Sequence, residues 1–214
     1  MRNFRNTIKM MVMALVMGYA LCSCCVSHLS PEEAPEPKNT GTAAPTVKIQ
    51  ETAEKGIRPQ AVLRDSQLTF YYDNKDHNTE GTVYEVSSKG YGVKGAPWAS
   101  SGFMSARFDE SCKDWNPTSM VFFFSCCTKA VSIDCTNLNT SSVIDMSCMF
   151  QKCRSLSSLD LTGFDTANVI EMYRMFNECG VLESIFVDSS FIQKADQTGS
   201  YEMYRLCPAQ LING

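Results

Sequence analysis

The chain has 214 residues, 44% hydrophobic and 10% aromatic, enough to bury a core in one modest domain. Its formal net charge is −4, from 23 acidic and 19 basic side chains. That balance excludes the basic surface needed to neutralise nucleic-acid phosphates, so no nucleic acid is expected as a partner.

At the start, Arg2, Arg5 and Lys9 precede an uncharged apolar run of 13 residues, MMVMALVMGYALC (10–22). The run is too short to cross ~30 Å of hydrocarbon as a helix and reads as the centre of an export signal. The following Leu21-Cys22-Ser23-Cys24 resembles a bacterial lipobox. That resemblance implies cleavage after residue 23, with Cys24 as the lipid-bearing N-terminus. Losing residues 1–23 removes three cations and no acid, taking the net charge from −4 to −7. The expected location is the bacterial cell envelope, lipid-anchored at the outer membrane or cell surface.

Residues 24–60 hold five of the eight prolines and no aromatic, so they cannot bury enough surface to offset their ordering entropy. They are expected to form a disordered tether. Next, AVLRDSQLTFYYD (61–73) has the pattern of two strands around a tight turn at Asp65-Ser66, and TVYEV (82–86) alternates as a further strand. Residues 61–102 are therefore assigned to a β-hairpin cap region that ends in a Gly-rich loop and Trp98.

From residue 103 the sequence repeats. SVIDMSCMFQKCRSLSSLDL (142–161) is echoed by NVIEMYRMFNECGVLESIFV (168–187), with ten identities in 26 over the full period. Met146/Met172, Phe150/Phe176, Cys153/Cys179 and Leu156/Leu182 are each 26 apart. A weaker copy holds Met120, Phe124 and Cys127, and a later one holds Met203, Tyr204 and Cys207 after two extra residues. Within each copy, Val143, Met146, Met149/Phe150 and Cys153 form the stripe of a short helix. Ser142 with Asp145, and Asn168 with Glu171, resemble capping boxes at its start. The second half, Leu156-x-x-Leu159-x-Leu161, matches the strand of a leucine-rich repeat, and the period lies inside the ~20–29 residues of that class. The expected fold is an α/β solenoid, a short leucine-rich-repeat array of about four coils over residues 103–214. One strand–helix unit cannot bury its own apolar face, whereas stacked units share a core.

These motifs, together with LTFYYDN (68–74), FDES (108–111) and PTS (117–119), resemble the BspA-like leucine-rich-repeat surface proteins. The resemblance covers roughly residues 68–214. It implies an exported, often lipid-anchored protein engaged in adhesion to host or microbial surfaces. The chain departs from the family pattern in its few coils, in KADQTGS (194–200) within the last one, and in its LING ending.

Cys127, Cys153, Cys179 and Cys207 recur at one repeat position. As the ends of helices packed ~8–10 Å apart, they would exceed the ~7 Å limit for a disulfide, and they lack zinc-type CxxC spacing. They read as small buried hydrophobes, while one bridge among Cys112, Cys126, Cys135 and Cys148 stays open. Strand alternation turns Ser132, Asp134, Thr136, Ser158, Asp160, Thr162, Ser184, Phe186 and Asp188 outward as a candidate concave binding face. With His28 and His77 the only histidines, and no HExxH, GxSxG or phosphate loop, no catalytic residue, metal or cofactor is expected. The expected function is binding of a protein or glycan ligand at a cell surface. The alternatives are an envelope assembly protein that pairs through its last coil, and a glycan-acting enzyme using Asp134 and Asp160.

Overall fold

The computed structural model describes residues 56–77, 81–197 and 202–214. The export signal, Cys24 and most of the tether lie outside the described residues. Strand β1 (Gln60–Arg64) turns back through Asp65 and Ser66 into β2 (Gln67–Tyr71). Both turn residues have positive φ, 47° and 68°, as a two-residue hairpin with right-handed strand twist demands. β3 (Thr82–Glu85) pairs antiparallel with the other edge of β1. From β2 onward all pairing is parallel: β4 (Ser105–Phe108) joins β2, and β5 (Ser132–Asp134) joins β4. A second parallel sheet orders β6 (Ser158–Asp160), β7 (Ser184–Val187) and β8 (Gln210–Asn213). β5 packs beside β6.

Each strand belongs to one rung, and matched positions of successive rungs lie next to one another. Ser119, Asp145 and Glu171 are joined by parallel bridges on a second side of the rung. The rings of Phe124, Phe150, Phe176 and Tyr204 stack at centroid spacings of 5.7, 5.8 and 5.7 Å. The three phenylalanines are fully buried, each contributing about 2–3 kcal/mol by area removed from water. At the hairpin end, Trp98 lies 5.0 Å edge-on to Phe70 and donates its Nε1–H to the Phe123 carbonyl at 3.1 Å. It extends the apolar core across the junction between cap region and repeats.

The helices expected in the first half of each repeat do not form. After the bridge residue at 145, residues 147–152 are a run of turns, and so are their counterparts 121–126 and 173–178. Left-handed residues recur in pairs four apart: Phe122/Cys126, Cys148/Lys152, Arg174/Glu178 and Glu202/Leu206. A right-handed helix cannot contain them. They flip the backbone so that amides alternate in direction. The N–H groups of Met146, Cys148, Phe150 and Lys152 donate to Glu171, Tyr173, Met175 and Asn177 in the next rung at 2.8–2.9 Å, while those of Met149, Gln151 and Cys153 donate three residues back at 3.2 Å. An α-helix would spend every amide internally and leave the rungs unjoined. Turns closed three residues back also place every third side chain inward, which imitates a helical stripe in the sequence. The expected capping boxes are absent for the same reason, and Asp145 instead accepts the Ser147 amide at 2.8 Å.

The helix-based distance argument about the cysteines fails with the helices, because matched positions lie one rung apart. No disulfide joins the eight described cysteines. Several thiols have partners of another kind, three of them carbonyls of a neighbouring rung. Cys112, Cys153 and Cys179 donate to the carbonyls of Phe70, Phe124 and Phe150 at 3.3, 3.2 and 3.0 Å, in each case a phenylalanine of the preceding rung. The sole α-helix among the described residues, α1 (Ser189–Gln197), follows β7 in the longer final repeat. Asp188 caps it by accepting the Phe191 amide at 3.0 Å, and Phe191 and Ala195 are buried beneath it.

Candidate functional site

The strands turn one set of side chains into the core and the other to solvent. Inward, the register runs Leu68, Ala106, Ile133 in the first sheet and Leu159, Ile185, Leu211 in the second. Outward, one row runs Gln67, Ser105, Ser132 and then Ser158, Ser184, Gln210. The next runs Thr69, Arg107, Asp134 and then Asp160, Phe186, Ile212. All nine residues singled out from the sequence project from this side, with Ser184 and Asp188 half-buried and the other seven exposed. The structure adds Ser105, Arg107 and Ile212 to them. Their signal was present: Ile212 is 26 after Phe186, and Arg107 is 27 before Asp134, a register that only the pairing reveals.

The carboxylates are held, not loose. Asp134 Oδ1 accepts the amide of Thr136 at 3.0 Å and its hydroxyl at 2.6 Å. Asp160 does the same with Thr162, at 3.0 and 2.8 Å, and Asp109 with Ser111, at 3.0 and 2.7 Å. Each pair pins the corner where a strand leaves the sheet. Thr136 and Thr162 therefore serve first as donors to their own aspartates. The hydroxyl and amide of Thr136 hold the Asp134 carboxyl below its ordinary range, and the Ser190 hydroxyl and Phe191 amide do so for Asp188. Asp134 and Asp160 are both exposed on the open face.

Two hollows cross this surface. One, of 330 Å³, lies over Ser132, Asp134, Ser158 and Asp160; the other, of 400 Å³, lies over Gln67, Tyr71, Ser105 and Arg107. Arg107, paired across the strands with Asp134, donates Nε–H to Thr69 Oγ1 at 3.3 Å. At the far end Phe186 and Ile212, direct partners across β7 and β8, are 37% and 39% exposed. Other large apolar side chains are exposed as well, Met104, Val131, Ile170, Val181 and Leu206 among them. Among the described residues no cluster of three or more His, Cys, Asp or Glu is arranged to hold a metal, and no helix is long and apolar enough to cross a membrane.

A family model described as "Mycoplasma protein of unknown function, DUF285" matches residues 100–190, which takes in β4 to β7 and the turn segments between them. No curated protein and no solved structure matches the chain.

Proposed function

We propose that this chain is a cell-surface lipoprotein whose stacked rungs form a short leucine-rich-repeat solenoid, and that its exposed strand face binds another macromolecule. The observation that carries the reading is the face itself. It combines held carboxylates, a hydroxyl row and an exposed Phe186–Ile212 pair on two parallel sheets whose turn segments are joined by backbone bonds. Such a face offers area and preorganisation but no enclosing cleft, and both suit recognition of a large partner. The lipobox-like Leu21-Cys22-Ser23-Cys24 supports export and anchorage at Cys24.

Two measurements test the reading. Protease added to intact cells should cleave the chain as fast as a known exposed marker; protection of the chain alone rules out outward display. Capture from surface extracts by the full chain should be lost in Phe186→Ser with the melting temperature unchanged. Undiminished capture by that variant removes the strand face from the argument.

A further inference from the structure

The charge on the strand face is uneven in a way that selects among partners. Asp109, Asp134, Asp160 and Asp188 lie along it or at its strand ends, against the single guanidinium of Arg107. Arg64 and Asp65, at the hairpin corner, add one charge of each sign, and Lys75 acts on Asp109, so the acidic excess lies at Asp134, Asp160 and Asp188. The whole chain adds to the same sign, at −4. An anionic polymer meets repulsion here, and so does a second copy of this chain, which brings the same face and the same net charge. A neutral glycan leaves the carboxylates uncompensated.

Independently of charge, the Phe186–Ile212 pair offers apolar area beside Asp160, whose direct strand partner is Phe186. Lysine and arginine side chains match such a combination, because an aliphatic stem covers apolar surface while the head reaches an acid. One oxygen of Asp134 and of Asp160 is already bonded to a threonine, so each carboxylate is held in place. A cationic head then gains its contact without the entropy of ordering the acid.

We propose that the occupant of this face is a cationic protein segment, one that carries lysine or arginine beside an apolar side chain. This rests on the reading that the strand face is the contact surface. It names the chemistry of what binds there.

The test uses the full chain in a non-ionic detergent and a short fluorescent peptide repeating Lys-Ser-Lys-Leu, with Glu-Ser-Glu-Leu and Ser-Ser-Ser-Leu versions beside it. Anisotropy should report binding of the lysine peptide alone. Affinity should fall about tenfold as salt shortens the screening length from ~10 Å towards ~3 Å. The double variant Asp134→Asn/Asp160→Asn keeps an oxygen to accept from each threonine and removes only charge; it should lose about tenfold, while Arg107→Gln should bind at least as well as wild type. Should that double variant melt lower than wild type, the salt titration of the unaltered chain decides alone. Equal binding of the serine and lysine peptides, or no response to salt, overturns the cationic assignment and leaves the face as an apolar docking surface. No binding of any peptide, with extract capture still sensitive to Phe186→Ser, also overturns it. Loss of that sensitivity instead defeats the underlying reading of the face.

Discussion

Cys153 and Cys179 are completely buried, and their thiols lie 3.2 and 3.0 Å from phenylalanine carbonyls of the preceding rung. Whether they act as donors or only as small hydrophobes is decided by comparing serine with alanine at each position. Alanine removes the sulfur and leaves a cavity, which costs about 1–2 kcal/mol. If the site lacks a usable acceptor, a serine hydroxyl adds about 1–3 kcal/mol for a buried polar group left unpaired, so serine is the worse replacement. If the hydroxyl inherits the thiol's bond, that penalty vanishes and a net bond worth about 0.5–1.5 kcal/mol remains, so serine equals or outperforms alanine. The carbonyl of Phe124 already accepts the Cys127 amide at 3.2 Å, and its second lone pair is the one the thiol uses. Urea unfolding of Cys153→Ser and Cys153→Ala at equal m-value measures the difference directly. We expect Cys153→Ser to be the more stable of the two. A serine variant less stable than the alanine one by more than about 1 kcal/mol refutes the donor role.

Asp145→Asn should raise stability at neutral pH. Burial raises the Asp145 pKa above 3.8, and burial together with the Asp145 charge raises that of Glu171 above 4.5, so both groups oppose folding when ionised, and that opposition fades as pH falls through the raised values. The gain over wild type should therefore shrink to nothing below 3.8, as followed by thermal melts across pH; a gain that persists there contradicts it. Asp134→Ala should cost about 1 kcal/mol by releasing its corner, while Asp134→Asn should cost less than half of that in denaturant titration. Cys126→Gly, at φ 63°, should be neutral or stabilising by up to about 1 kcal/mol. Gly90→Ala, with φ 72° and a Cβ 3.0 Å from the Val121 amide nitrogen, should destabilise by more than that gain. Inserting a second copy of residues 136–161 after Leu161 should add one rung and raise the urea m-value, whereas half that segment should disrupt folding.

The period of the sequence carried the register. Phe124, Phe150 and Phe176 fall 26 apart and their rings stack within 6 Å of one another. The alternation of Ser158-Leu159-Asp160 told inside from outside because strand side chains have only two directions. Backbone handedness was illegible. Neither Cys148 nor Lys152 is a residue that asks for positive φ, so nothing local opposed the helical reading of residues 143–153. The decisive interaction lay 25 residues away, in carbonyls that only the next rung supplies. The corners were written plainly in Asp109-x-Ser111, Asp134-x-Thr136 and Asp160-x-Thr162, yet short polar pairs of that kind are common in any loop. Only the bond lengths separate a pinned carboxylate from a solvated one. The thiol contacts were hidden for a similar reason, since a buried cysteine looks like a small hydrophobe until its acceptor is placed.

A structural role and the proposed recognition role are not rivals at Asp134 and Asp160. From rung to rung the inward positions stay apolar, Ala106, Ile133, Leu159, Ile185 and Leu211, because each must fill the space above the last. The outward positions change from Arg107 to Asp134, Asp160, Phe186 and Ile212, and nothing in the stacking dictates that order. A corner pin needs only one acceptor oxygen, and asparagine would supply it. The full negative charge is therefore surplus to the fold, and surplus charge held at a fixed position on an open face acts on whatever approaches it. On the proposed reading, recognition resides in the sequence of outward residues along the stack, and rigidity in the inward ones, with each aspartate contributing one oxygen to either task.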